Sequence, residues 1–405
     1  MSSRSPVLDR RLFLQGALLA GLQLTLQQRA VAASQELKGQ ILGLGFGAKR
    51  LSKQAATGGS VLTELNLVDG RWRATVLPIE LAHTLLSVPG VYDLCLPQDG
   101  PSALWLSPQR EVIGRLEAPE GWLFSGHGVV KEGLIYISVR RKEAHSFSDH
   151  GRIAVVEVKT RRMLGFFDSG GVRPHDMALR GQTLCVSHYG DINYDKAGVN
   201  AGNLRQARLV SLDCQTGRVL QTIDTPDFGS LTHFAWGRED SICAVPLRYY
   251  QLDAAGMRAV EQDLGGAEFE VSLVDELEAR LAAPMPIVMI DRKKSKFQLL
   301  QGALPKQRRA QSVVYHAASD RYFITYSCSD SLAIVDGSGV RHVSAGQLGL
   351  NFLRGLACLG DSPFLAVSGE FHGLAIIDAR SLEVVRRYDV PWCDNAHLSW
   401  QNSPS

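Results

Sequence analysis

One unit recurs along the 405-residue chain, and it restricts the fold more than any other feature. From His83 the sequence reads HTLLSVPG, VYDLCLP, SALWLS and EVIGRLE; from His175 it reads HDMALRG, QTLCVSHY, ARLVSLDCQTG and RVLQTID. Copies in the same order start at His127, His233, Gln311 and Arg354, and at His397 only a first run, HLSWQ, remains. Short apolar or alternating runs bounded by turn residues read as strands, four to a unit. The anchors are 44, 48, 58, 78, 43 and 43 residues apart. A bare repeat of about 43 residues falls in the range of a four-stranded propeller blade.

The three runs missing after His397 stand at the other end of the chain: QILGLGFGAKR, SVLTELNLVDG and RWRATVLPI. One C-terminal strand and three N-terminal strands make a seventh unit. Closing a ring in this way removes the exposed sheet edges that an open stack would leave. The expectation is an all-β chain: a seven-bladed β-propeller of four-stranded blades over residues 33–405.

Residues 1–32 stand apart. Paired Arg10 and Arg11, then Phe13 and Leu14, a modest apolar run and a small-residue AVA at 30–32 resemble a twin-arginine export signal. The run is too short and too rich in Gln for a stable span, and no later stretch approaches the ~18 apolar residues a span needs. The expectation is a periplasmic protein without a membrane span once the signal is cleaved. The formal net charge of +2 includes four arginines and one aspartate in this leader, so the rest of the chain carries −1. Nothing in that balance suggests a nucleic-acid surface. The seven cysteines show no CxxC or zinc spacing, and Cys185, Cys243 and Cys358 sit inside apolar runs. They read as small buried hydrophobes; the count leaves room for one disulfide of unspecified pairing.

The three long repeats carry their extra residues between the second and third strands, at 141–150, 191–206 and 249–284. The last includes VSLVDELEARL, whose apolar spacing suggests a short helix. In a propeller these loops emerge on the same face as the inter-blade loops that precede the anchors. Insertions confined to one face of a repeat fold mark a binding surface. The candidate site is therefore the ring of His83, His127, His175, His233, Gln311, Arg354 and His397, with His188 leading into the second insertion.

Three readings of the ring stay open. Each imidazole can bond the neighbouring blade's backbone and be purely structural. The funnel can take an organic or peptide ligand, with Arg354 holding an anionic group. Neutral imidazoles can also converge on a metal ion, in which case His127, His175 and His233 are the ligands to expect, aided by His145, His150 or His188. The anchors include no carboxylate, which disfavours calcium and octahedral iron. GLGFG at 43–47 lies on a strand with no helix after it, so it is not a phosphate loop. Asp191 and Asp195, near His188, read as a polar surface loop. No GxSxG, P-loop or nucleophile–base pair is present, so no catalytic residue and no cofactor is expected.

WLFSGHGVVKEGLIYIS, GVRPHDMAL, NAGNLRQARLVSLDCQTG and GSLTHFAWGRED occur in an order that resembles an uncharacterised family of exported bacterial proteins. The likeness runs from about residue 41 to 400. It departs at Thr232, where the family has a basic residue, at Asp176, where it has Glu, and at ALWLSPQRE, where it has an aromatic-basic segment. The resemblance implies a twin-arginine-exported seven-bladed propeller encoded beside imelysin-like, iron-regulated periplasmic proteins. The polar ring and one-sided insertions, with no catalytic set, point to a non-enzymatic binding or scaffold component, expected to be a monomer; the resemblance adds a role in iron acquisition, with an imelysin-like protein as partner. The alternative is a metal- or cofactor-dependent, oxidoreductase-like enzyme using the histidine ring.

Overall fold

The computed structural model describes residues 37–46, 59–88, 91–142, 149–190, 207–225, 231–246, 286–300, 310–327 and 329–402. The leader, the 191–206 and 249–284 insertions with the helix expected there, most of the 141–150 insertion, and Cys328 lie outside these residues. Among the described residues the chain is all-β, apart from the one-turn helix α1 (Ala345–Leu348) and a 3-10 turn at Arg238–Asp240.

One sheet joins the two ends of the chain. β1 (Gln40–Phe46), β2 (Ser60–Asn66) and β3 (Trp72–Leu77) run antiparallel, and the last strand, β28 (Asp394–Gln401), pairs with β1. Next come β4 (Ala82–Val88), β5 (Tyr92–Gly100), β6 (Ser102–Leu106) and β7 (Val112–Glu117), paired in sequence order. So are β8 (Trp122–Lys131), β9 (Leu134–Arg141), β10 (Arg152–Glu157) and β11 (Arg162–Asp168). A short β5–β8 pairing, Gln98 opposite Ser125 and Gly100 opposite Phe124, joins these two runs into one eight-stranded sheet.

Four more four-stranded sheets come next in chain order. They are β12 (Pro174–Arg180), β13 (Thr183–His188), β14 (Arg208–Asp213) and β15 (Val219–Asp224); β16 (Leu231–Trp236), β17 (Ser241–Pro246), β18 (Ile287–Asp291) and β19 (Lys296–Leu300); β20 (Ala310–His316), β21 (Arg321–Tyr326), β22 (Ser331–Asp336) and β23 (Gly339–Ser344); and β24 (Leu353–Cys358), β25 (Phe364–Gly369), β26 (His372–Asp378) and β27 (Val384–Pro391).

The first strands of successive sheets pack on one another, β4 on β8, β8 on β12, β12 on β16, β16 on β20, β20 on β24, and β24 on β28, which returns to β4. Four-stranded antiparallel sheets arranged in this way are consistent with a β-propeller.

The burial pattern explains the strand sequences. A middle strand such as β25 is buried on both faces because a neighbouring sheet covers each, and it reads as a continuous apolar run. An outermost strand such as β11 alternates exposed and half-buried residues. In the closing sheet, alternate residues face opposite neighbours. Ile41, Leu65 and Leu67 pack with Phe364, Ile376 and Trp392, whereas Leu42, Leu44 and Leu62 pack with Leu85, Cys95 and Leu104. This two-sided burial holds β1 and β2 in the core.

Cys95, Cys185, Cys214, Cys243 and Cys358 are free thiols. Cys95, Cys185 and Cys243 are fully buried core residues, and burial pushes their thiols well above the ordinary range, as far as about 12 for Cys185. Cys358 is half-buried. Among the described residues no helix is long and apolar enough to cross a membrane.

Candidate functional site

Each of the innermost strands breaks its ladder register at or beside its polar anchor. The shift falls between Ala82 and Thr84 in β4, between Phe124 and Gly128 in β8, and between Pro174 and Met177 in β12. It falls between Leu231 and His233 in β16, Ala310 and Ser312 in β20, and Leu353 and Leu356 in β24. In β28 the extra residue lies just before His397. A bulge inserts an unpaired residue and re-aims its side chain, so the sheets turn polar groups towards a shared centre.

Hydroxyls on the second strands hold several of these bulges. Ser138 Oγ lies 3.1 Å from the His127 carbonyl and 2.9 Å from the His175 carbonyl of the next sheet. Ser187 Oγ reaches the Thr232 carbonyl at 2.5 Å, and Thr325 Oγ1 donates to the Arg354 carbonyl at 2.6 Å. At Gly126 (φ +95°) a Cβ would come 2.5 Å from the His83 ring, so the glycine of GHG permits that close approach.

The structure brings five of the seven anchors together. His83, His127, His175 and His233 are buried, and their ligand nitrogens all lie within 4.8 Å of one another. The fifth, His397, has its ring centroid 4.1 Å from that of His83 and 5.1 Å from that of His233. Gln311 and Arg354 are buried on the other inner strands. Gln311 donates to Ser327 Oγ at 3.0 Å, and Arg354 pairs with Glu370 at 3.6 Å.

The expected loop histidines are elsewhere. His145 lies outside the described residues, and His150 sits 3.0 Å from Asp168 at the surface. His188 is buried beside Gly171 and Arg208, with Nε2 3.0 Å from Ser169 Oγ.

Two residues beside the cluster were not anticipated. Asp176 has one oxygen 3.3 Å from His127 Nδ1 and the other 3.5 Å from His233 Nδ1. Its oxygens also accept from the Met177 and Phe234 amides, at 2.8 and 3.2 Å. Tyr189 places its hydroxyl 3.3 Å from His175 Nε2. The expectation of no carboxylate holds for the anchors themselves but not for their immediate surroundings.

Electrostatics keep the rings neutral. Burial, then the neighbouring imidazoles, holds His83 and His397 well below the usual imidazole value. Burial does the same for His127, against the pull of Asp176, and for His175, with His233 adding to the effect. His233 is lowered to about 3 by burial and by the Arg354 charge. Burial also raises the Asp176 carboxyl, against the effect of His127 and the two backbone amides.

Neutral imidazole offers one N–H and one lone pair. His175 Nδ1 lies 3.1 Å from the Ser125 carbonyl and donates to it, which leaves Nε2 as its lone pair. With Nδ1 of His127 turned to Asp176, its Nε2 lies 3.0 Å from His83 Nε2. Nitrogens around one ion at ~2.1 Å are about 3.0 Å (cis) to 4.2 Å (trans) apart, so this donor set, spread over 4.8 Å, is slightly wider than a single coordination sphere. Backbone anchoring and convergence are thus combined in one residue, His175.

His188 allows a separate prediction. Its imidazole is lowered to about 3, first by burial and then by the Arg208 charge. The unfolded ring takes up a proton near pH 6.5 and the folded one does not, so stability falls as pH drops from 6.5 towards 3. In His188→Gln, the slope of unfolding free energy against pH at pH 5 should shrink by about one proton, ~1.4 kcal/mol per pH unit. Urea titrations between pH 4 and 7 measure it; an unchanged slope refutes the assignment.

The chain belongs to the family described as protein of unknown function (DUF1513), whose model matches residues 100–349. No curated protein matches the chain. Hydrazine synthase of Kuenenia stuttgartiensis is a similar solved structure, 13% identical over 74% of this chain and 76% of that one, with a TM-score of 0.49. Apo AztD from Citrobacter koseri is 10% identical over 89% and 84%, TM-score 0.48. The computationally designed Ika8 protein is 9% identical over 87% and 88%, TM-score 0.48.

Proposed function

We propose that this DUF1513 chain is a seven-bladed propeller that binds one transition-metal ion on its axis and acts as a binding protein rather than an enzyme. The observation that carries the reading is the convergence of four buried, neutral imidazoles, His83, His127, His175 and His233, within 4.8 Å. Neutral imidazoles carry one lone pair each, and lone pairs converging on one point in a buried site form a donor set that a cation can use. An all-nitrogen set suits zinc, copper, nickel or ferrous iron and disfavours the hard, oxygen-seeking ions. The leader points to export, and the family resemblance to a periplasmic role in iron acquisition beside an imelysin-like partner. The oxidoreductase alternative uses the same histidines and differs in requiring turnover.

Metal analysis of protein isolated from its own periplasm, under controlled iron and zinc supply, is the test. About one ion per chain is expected, falling below ~0.1 in the double variant His127→Ala/His175→Ala. Native protein at or below ~0.1 ion per chain would overturn the reading.

A further inference from the structure

We infer that His397 is a fifth imidazole of the axial site, and that a bound ion thereby fastens the last strand of the chain to the rest of the ring. This rests on the axial-metal reading and adds to it a residue outside the four-histidine group and a role in closure.

Three observations carry it. First, the His397 ring centroid lies 4.1, 5.1 and 5.3 Å from those of His83, His233 and His127, as near as those rings are to one another. Second, His397 Nε2 is buried and makes no hydrogen bond among the described residues, which is costly for a polar atom without a role. Third, His397 stands on β28 opposite Leu44, directly after that strand's bulge, and so repeats the placement of the other anchors.

The topology gives the site its consequence. β28 is the one strand of the closing sheet that comes from the far end of the chain. Its other fastenings include the β1 ladder, packing on β24 and β4, Leu398 against Gly43 and Gly355, the Trp400 Nε1 bond to the Lys38 carbonyl, and Gln401. None of these is a covalent closure. An ion held by His83, His127, His175, His233 and His397 would tie β28 to four other inner strands. Clips that close long loops have the largest entropic effect on the unfolded chain, and the segment from His83 to His397 is most of the chain. Five nitrogen donors point to a borderline divalent ion of the late first row.

Zinc is the probe, applied to the purified full chain after chelator stripping. Hydrogen–deuterium exchange is followed in peptides covering 40–46 and 394–401, together with zinc affinity from competition with a chromophoric chelator. Zinc should slow exchange in both peptides about tenfold or more in the native chain, in proportion to occupancy. His397→Ala and the bulkier His397→Gln should bind zinc about tenfold or more weakly, with the added protection of 394–401 lost. The native-chain comparison needs no variant, so a folding defect in either one leaves a decisive measurement. If the native chain binds zinc but both variants bind it equally well and 394–401 gains no protection, His397 is not a ligand and the axial-metal reading stands. If the native chain binds no zinc, the inference fails together with that reading.

Discussion

Arg110→Met should destabilise the fold by about 3–5 kcal/mol, a large part of the stability of an ordinary domain. Arg110 is buried in the turn between β6 and β7, and its guanidinium joins three parts of the chain. Nε donates to Glu64 Oε1 on β2 at 2.8 Å, Nη1 pairs with Asp93 on β5, and Nη2 donates to Gln401 Oε1 on β28 at 3.0 Å. The Gln401 amide continues the network to Ser87 on β4 and to Asp93 Oδ1 at 3.1 Å. The group thus spans the seam between the closing sheet and the next.

Methionine supplies similar bulk but leaves the buried carboxylate of Asp93 without its cation and Glu64 with the more exposed Arg73 alone. Uncompensated buried charge, rather than lost attraction, is the main cost. Urea unfolding of the single variant and of the triple variant Arg110→Met/Glu64→Gln/Asp93→Asn separates the two causes. Recovery of more than half the loss in the triple variant is expected. A single-variant loss under ~1 kcal/mol would show that the seam does not depend on this pair.

The contrast between this seam and the repeat shows what sequence can carry. Strand order, the pairing of the last strand with β1 and the placement of five histidines on inner strands were legible because each repeat states the same pattern locally, about every 43 residues, whereas their convergence was one of three readings left open. Arg110 was not legible: SPQRE reads as an ordinary turn, and its partners stand 17, 46 and 291 residues away. Gln311 and Arg354 were correctly placed on inner strands, yet they bond Ser327 and Glu370 rather than joining the imidazoles. His188 leads the second insertion as expected, but β13 directs it against Ser169, Gly171 and Arg208. Asp176 was missed for a specific reason. Strict alternation along a strand sends the neighbour of His175 to the opposite face, and the bulge between Pro174 and Met177 breaks that alternation.

Asp176→Asn should therefore weaken metal binding by about 10–100-fold while leaving the fold intact. The carboxylate spans two ring nitrogens, His127 Nδ1 at 3.3 Å and His233 Nδ1 at 3.5 Å. From those positions its charge attracts the N–H of each Nδ1, which favours inward-facing Nε2 lone pairs and increases their basicity, as carboxylates behind metal-bound histidines do. Asparagine is nearly the same size and keeps one acceptor oxygen, which retains a bond from the Met177 or Phe234 amide. Its NH2 group cannot accept from an imidazole N–H, so one histidine loses its orienting partner and can turn its lone pair outward. Because Asp176 is already a buried carboxyl whose ionisation burial opposes, replacing it with a neutral amide removes a desolvation penalty along with the attraction to the two rings. The two effects on folding oppose each other, whereas the effect on affinity has one sign. Zinc competition and urea unfolding, run side by side on Asp176→Asn and the native chain, resolve this. Weaker zinc binding with a thermodynamically similar fold assigns Asp176 to ligand orientation. Equal affinity in the two proteins would show that the imidazoles are positioned by their bulges and by Ser125 alone.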